Sequence, residues 1–329
     1  MTGPRDGAYH RFTNQTFVLF LTRAGDAMGN LGIALTGAGA LLLAAAGVSG
    51  WLVAKRPLWV WNRAARRGLK RLGLARVVVP SPSGPQVAFL GGTGPLLVLI
   101  HGAGDHAGTW AKVAPALLRD HALLIPDLAG HGESAPGEGP IDTAAIVEGL
   151  EAVLQDLGRG RRATLVGNSL GAWMALVLAR RQPALVEKVV AVNGGPLAGS
   201  GAPVNLLPAT REEARRTMAQ LRDPSSPPIP DAVLDDMIRG AGTGSLARFA
   251  GTAATMGPWL LTEAQLADLQ VPVRMVWGAS DALMPLDYAR RMGAALPDSR
   301  LFPVERCGHV PQSEAPARFL EALAKALEA

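Results

Sequence analysis

Ser169, Asp281 and His309 follow one another in an order and in local contexts suited to nucleophilic catalysis. Ser169 lies in Gly167-Asn168-Ser169-Leu170-Gly171, a G-x-S-x-G pattern. The pattern directly follows the apolar run Ala163–Val166 and directly precedes a stretch rich in Ala and Leu. A sharp strand-to-helix turn strains the serine and lifts its oxygen above a sheet, and small flanking residues keep the turn free of clashes. The bland alternative is a Gly-rich turn whose serine only caps a helix. A serine hydroxyl attacks poorly until a base takes its proton. His309, in Cys307-Gly308-His309-Val310-Pro311, occupies the turn between the last strand and the last helix and can be that base. Neutral imidazole in turn needs a carboxylate that fixes its tautomer and stabilises imidazolium. Asp281, in Trp277-Gly278-Ala279-Ser280-Asp281-Ala282, lies 28 residues before His309, room for one helix and one strand. Asp287 is the nearby rival, but its helical stretch suits a solvent-facing carboxylate.

The oxyanion formed on attack needs backbone N–H donors. Leu170, just after the nucleophile, is one candidate. The second belongs to the turn His101-Gly102-Ala103-Gly104-Asp105-His106, with Ala103 chosen and Gly104 in reserve. His101 reads as a structural turn residue, and His106 as a residue that could line a pocket. Asp127-Leu128-Ala129-Gly130-His131-Gly132-Glu133-Ser134 is rich in turn formers and reads as structural. Cys307 reads as a small buried side chain, and a single cysteine makes the fold independent of an internal disulfide. No zinc cluster, phosphate-binding P-loop or GxGxxG turn is present, so neither cofactor nor metal is expected.

These residues require elements that hold them. Short apolar runs mark strands at Arg76–Val79, Gln86–Leu90, Leu96–Ile100, Ala122–Pro126, Ala163–Gly167, Lys188–Asn193, Val271–Trp277 and Arg300–Val304. Unbroken runs such as Leu96–Ile100 suit parallel strands buried on both faces. Helical periods fall at Thr109–Arg119, Thr143–Leu157, Leu170–Arg181, Pro285–Leu296 and Glu314–Leu327. The alternation predicts an α/β domain over 76–194 and 269–329. Residues 195–268 break it, reading as helices at Arg211–Leu221, Asp231–Ile238 and Leu246–Leu260, a helical cap inserted over the strand ends.

Together HGAGDHAGTW, DLAGHGES, GNSLG, WGASDALMP and CGHVPQSEAP, in that order, resemble the α/β-hydrolase superfamily from about Arg76 to the C-terminus. The resemblance implies an eight-stranded, mostly parallel sheet flanked by helices, a Ser–Asp–His triad and no cofactor. Serine at 169 argues against the members that use an aspartate nucleophile. The superfamily includes esterases, lipases, thioesterases and C–C bond hydrolases, and fold does not choose among them.

The N-terminal part carries no such pattern. Residues 1–79 hold 11 Lys/Arg against 2 Asp/Glu, whereas 80–329 hold 21 against 25. The catalytic part therefore lacks the basic excess of a nucleic-acid binder. No charged residue occurs from Ala27 to Ala54. The 24 residues Leu31–Ala54 would extend about 36 Å as a helix, against a hydrocarbon core of about 30 Å. The first reading of this segment (1–54) is a single membrane span. The others are an N-terminal hydrophobic helix lying in the interface or packed on the hydrolase domain, and a cleaved signal peptide. Phe17–Leu21 is too short to span. A basic amphipathic connector follows over 55–75. Eight basic residues after the span against three before it orient the catalytic domain to the cytoplasm. The sequence thus predicts a membrane-associated serine hydrolase of a small-molecule carboxylic ester, hydrophobic or lipid-like, with no nucleic-acid partner. The alternatives are a C–C hydrolase using the same triad and a non-catalytic, membrane-anchored protein of the same fold.

Overall fold

Eight apolar runs pair into one sheet with the order β1-β2-β4-β3-β5-β6-β7-β8 in the computed structural model, which describes residues 47, 50–199 and 203–329. The strands are β1 Ala75–Val79, β2 Gln86–Gly91, β3 Leu96–Ile100, β4 Ala122–Pro126, β5 Ala163–Asn168, β6 Val186–Val192, β7 Val273–Gly278 and β8 Ser299–Val304. Only β2 runs antiparallel to its neighbours β1 and β4; the other pairs are parallel. β3 and β5 are buried at every residue, as their unbroken apolar sequences require. The chain leaves β3 toward β4 on one side and later adds β5 on the other. The carboxyl ends of β3 and β5 therefore border a topological switch point, where open α/β sheets place their ligands.

Helices cover both faces. They are α1 Pro57–Arg71, α2 Ala114–Leu117, α3 Thr143–Gly158, α4 Leu170–Arg181, α5 Arg211–Leu221, α6 Asp231–Ala241, α7 Ser245–Ala250, α8 Glu263–Ala267, α9 Leu286–Ala295, α10 Pro311–Glu314 and α11 Pro316–Glu328. α4, the helix after Ser169, buries Leu170 through Ala172 and Met174 through Ala179. It belongs to the core layer that also holds Val98, Ile100 and Trp277. The opposite layer is built from Phe89, Leu97, Leu99, Trp110 and Phe319.

Two expected helices are broken. Thr109–Arg119 is a 3₁₀ turn, Ala107–Trp110, followed by the short α2. The Ala107 N–H bonds to the Asp127 carboxylate and the Gly108 N–H to His106 Nδ1, and Pro115 opens a new helix. Leu246–Leu260 is α7 followed by two 3₁₀ turns, because Gly251 and Gly257-Pro258 interrupt the period. Between β6 and β7 the described residues form helices α5–α8 and 3₁₀ turns and no strand, as the sequence predicts.

Residues 1–55 and 56–329 are separate units. The span expected over 27–54 lies outside the described residues except for 47 and 50–54. Among the described residues, no helix is long and apolar enough to cross a membrane. In the larger unit the basic stretch forms α1, which is more than a connector. Its Leu69 is fully buried in the second core layer. Its Arg66 reaches Asp127 at 2.9 Å and Glu133 at 3.0 Å. The Asp127 side chain is wholly inaccessible, so removing the guanidinium strands a buried carboxylate. Arg66→Ala is expected to cost about 3–5 kcal/mol of unfolding free energy by urea titration. Adding Asp127→Asn should restore part of that loss, whereas additive losses would refute the pairing.

Candidate active site

Ser169 stands at the junction of β5 and α4 with φ 54° and ψ −117°. This left-handed backbone costs a non-glycine residue about 1–3 kcal/mol and persists only where surroundings enforce it. Three glycines make it possible. A Cβ on Gly167 would lie 2.2 Å from the Gly171 oxygen, and one on Gly171 would lie 2.3 Å from the Ile100 oxygen. On Gly194 it would lie 2.5 Å from the Ser169 Cα. The first two belong to the G-x-S-x-G pattern; Gly194 follows β6 and was not legible as part of the turn. The Ser169 N–H donates to the Val192 oxygen at 2.9 Å, which ties the turn to the end of β6.

Asp281 follows β7 and His309 follows β8. Their side chains meet, with His309 Nδ1 2.7 Å from Asp281 Oδ2. Both are buried, 6% and 3% exposed. Asp281 Oδ2 also accepts from Asn193 Nδ2 at 2.7 Å. Its Oδ1 accepts from the Leu283 and Met284 N–H groups at 2.9 and 3.1 Å. A carboxylate only accepts, so His309 Nδ1–H is the donor of this hydrogen bond, which leaves Nε2 as the nitrogen that can take a proton when the imidazole is neutral. Asp287, the rival acid, is bound instead to Arg290 at 2.6 Å on the exposed face of α9.

Asn168, inside the G-x-S-x-G pattern, links the serine turn to the histidine loop. It is 2% exposed, and its Nδ2 donates to the His309 carbonyl at 3.0 Å and to the Val192 carbonyl at 3.2 Å. Gln312 Nε2 donates to its Oδ1 at 3.1 Å. The histidine loop is fixed from the inserted helices too, since the His309 N–H donates to the Leu221 oxygen at the end of α5 (2.8 Å). Glu314 accepts the Gly308 N–H at 2.7 Å. Cys307 beside it is fully buried, and burial with the Glu314 charge pushes its thiol up to about 12.

The turn after β3 approaches the serine. A Cβ on Gly102 would lie 3.2 Å from the Ser169 Cβ. Among the described residues, neither the Ala103 nor the Leu170 N–H donates to a protein acceptor. Gly104, the reserve, has φ 78° and packs against Leu246 of α7. His101 is structural, as expected: its Nε2 accepts from the Leu128 N–H at 2.9 Å, so Nδ1–H donates to the Gly102 oxygen at 2.7 Å. Burial, with His131 nearby, holds its pKa well below the usual range. His106 is lowered to about 4 by burial and by Arg66. Neither imidazole is disposed to carry a proton at neutral pH. Asp127 organises its turn by accepting from the Ala107 and Glu133 N–H groups at 2.7 and 2.9 Å. Among the described residues, no cluster of His, Cys, Asp or Glu could hold a metal ion.

Asn193, just after β6, carries no signal of a role in the sequence. With φ 47°, it accepts the Gly278 N–H on Oδ1 at 2.9 Å and donates to Asp281 from Nδ2. It thus fixes Asp281 to the sheet. Asn193→Ala is expected to lower kcat about tenfold and stability by about 1–3 kcal/mol. Steady-state kinetics beside thermal denaturation checks this, and unchanged kcat would show that Asn193 has no hand in orienting the acid.

Comparison with known proteins agrees with this fold. Residues 97–322 match the model of the Alpha/beta hydrolase family. An uncharacterised protein of Mycobacterium tuberculosis is 30% identical over 260 residues, covering 70% of this chain and 75% of that protein. A pimeloyl-[acyl-carrier protein] methyl ester esterase of Aromatoleum aromaticum is 31% identical over 242 residues, 66% of this chain and 92% of the esterase. A 2-hydroxy-6-oxononadienedioate/2-hydroxy-6-oxononatrienedioate hydrolase of Pseudomonas sp is 26% identical over 244 residues, 68% of this chain and 84% of that enzyme. With an eight-stranded sheet of this order and the match over most of its length, the chain belongs to the alpha/beta hydrolase family.

Proposed function

We propose that the protein hydrolyses a hydrophobic carboxylic ester through an acyl-enzyme on Ser169. The observation that carries this reading is the 2.7 Å Asp281–His309 bond, held beside a strained serine by Asn168. Ser169 Oγ bonds to the ester carbonyl carbon as its proton passes to His309 Nε2. Asp281 stabilises the imidazolium, and the N–H groups of Ala103 and Leu170 hold the oxyanion. The carbon–oxygen bond then breaks and the alcohol leaves with the proton from His309. Water, deprotonated by the same imidazole, releases the carboxylic acid and restores the serine.

The similarity to the methyl ester esterase supports ester cleavage. A second reading, C–C bond hydrolysis on the same residues, is supported by the similarity to the Pseudomonas hydrolase. Turnover of nitrophenyl esters with acyl chains from short to long, in detergent, separates them. Activity that rises with chain length and vanishes in Ser169→Ala supports the first. Absence of ester turnover, in a protein whose Ser169 still reacts with a fluorophosphonate, sinks it and favours the second.

We also infer that the N-terminal segment associates with a membrane, spanning it or lying in its interface, with the catalytic domain on the cytoplasmic side. The uncharged run over 27–54 and the eight basic residues after it support this. Digestion of the catalytic domain by protease added outside intact spheroplasts would refute the orientation.

A further inference from the structure

Two cavities share the loop that follows β3. One, of about 680 Å³, is walled by Leu58, Trp61, Met218, Leu221, Ile229 and Val310, and so is largely apolar. The other, of about 440 Å³, is walled by Arg63, Arg66, Arg67 and Lys70 of α1. Asn62, Gly104, Asp105 and His106 line both. This common floor begins one residue after Ala103 and two after Gly102, where an added Cβ would lie 3.2 Å from the Ser169 Cβ. Val310, in the apolar wall, directly follows His309. The apolar and cationic cavities therefore adjoin one another on the loop that passes the serine.

The charges in the second cavity do not cancel. Its four cations face two carboxylates, Asp105 and Glu133. Glu133 is held by Arg66 at 3.0 Å and Arg76 at 2.6 Å, and Arg66 is spent on Glu133 and the buried Asp127. Asp105 accepts the His106 N–H at 2.8 Å. Arg63, Arg67 and Lys70 have no carboxylate partner among the described residues; Arg63 only lies over the Trp59 ring, 5.5 Å from its centroid. They fall at i, i+4 and i+7 on one exposed face of α1, which carries no acidic residue. A helix that places three unpaired cations in one concavity favours an anion there.

Resting on the ester reading above, we propose that the substrate is an anionic amphiphile. Its hydrophobic chain lies in the apolar cavity, and a phosphate or carboxylate on the same molecule lies among Arg63, Arg67 and Lys70. The reaction remains ester hydrolysis; the cationic cavity supplies specificity, and its three side chains position the substrate without touching the reacting atoms.

The test uses the full chain in detergent with two chromogenic esters of one acyl length, 4-nitrophenyl octanoate and 4-nitro-3-(octanoyloxy)benzoate. Arg63→Gln/Arg67→Gln/Lys70→Gln is expected to lower kcat/KM about tenfold for the benzoate, mainly through KM, and less than about twofold for the neutral ester. Arg63→Lys/Arg67→Lys should retain most of the preference. The neutral ester reports on folding, and Arg66 is left intact because its loss would strand the buried Asp127 carboxylate. An unchanged ratio between the two esters overturns the proposal. If neither ester is turned over, the ester reading fails. The cavity is then judged alone by the thermal shift that inorganic phosphate produces: stabilisation of wild type but not of the triple variant upholds an anion site, and equal shifts overturn it. Dihexanoylphosphatidylglycerol against dihexanoylphosphatidylcholine distinguishes the sources of the anion. Preferential turnover of the former, lost in the triple variant, assigns a lipid headgroup phosphate. Preference confined to the benzoate assigns a soluble anionic ester.

Discussion

Ser169→Ala is expected to lower kcat by about 10⁴-fold or more while leaving the unfolding free energy within about 0.5 kcal/mol of wild type. The two halves of this expectation have separate causes. The serine side chain is half-buried and makes no capping bond to α4, so the hydroxyl contributes little to the fold. Alanine keeps the Cβ and so the same left-handed strain. On the proposed mechanism no covalent intermediate forms without this oxygen, and only substrate binding and the proposed donors Ala103 and Leu170 remain to assist water. Ser169→Gly sharpens the result: it should be equally inactive yet about 1 kcal/mol more stable than Ser169→Ala, because glycine adopts φ 54° without penalty. Initial rates on an ester of hydrophobic acyl chain, with urea denaturation of all three proteins, would show it. An alanine variant that keeps wild-type turnover removes the serine from the mechanism. A glycine variant no more stable than alanine removes the strain from the turn.

The strands were legible because a parallel sheet buried on both faces demands unbroken apolar runs. Leu96–Ile100 and Ala122–Pro126 have the expected bounds. The serine turn was legible because two of its close contacts are made by glycines within five residues of sequence. The meeting of Asp281 with His309 was foreseeable from the ends of successive strands. What the sequence hid are the contacts that join distant segments. Asn168 and Asn193 stand at strand ends with no local mark of their roles until β5, β6 and β7 bring them to the His309 carbonyl and the Asp281 carboxylate. Gly194 has no local signature, since the atom it must avoid belongs to Ser169.

The basic stretch after the apolar run illustrates a different limit. Its cations suggested a connector, because charge alone does not reveal which guanidinium is buried. Arg66 and Arg67 are neighbours in sequence and line one cavity, yet Arg66 closes on the buried Asp127 while Arg67 stays exposed with no carboxylate partner among the described residues. The difference is the phase of the helix, set by Leu69 entering the core. Contacts from outside a segment also hid the break in Thr109–Arg119: its apolar period is real, but the side chains of Asp127 and His106 capture the N–H groups of Ala107 and Gly108 just before it and start a 3₁₀ turn there.

Asp281→Asn is expected to lower kcat by about 10⁴-fold through the tautomer of His309. The introduced amide has one acceptor and one donor where the carboxylate had two acceptors. Its oxygen is held on the side of the Leu283 and Met284 N–H groups, which offer two hydrogen bonds at 2.9 and 3.1 Å. Its NH₂ then faces His309 Nδ1 and Asn193 Nδ2. Nδ1 must become the acceptor, so the imidazole proton moves to Nε2, the nitrogen required to take the serine proton. Asn193 cannot turn its own amide to help, because its oxygen is bound to the Gly278 N–H at 2.9 Å. Two opposed donors in a buried site should also cost about 1–3 kcal/mol of stability. Kinetics of the variant, with the proton NMR signal of the imidazole N–H followed in both proteins, tests the argument. The strongly downfield Nδ1–H signal should disappear as activity falls. Loss of activity with that signal intact would mean that Asp281 serves the transition-state charge and not the tautomer. Wild-type activity would mean that another group orients His309.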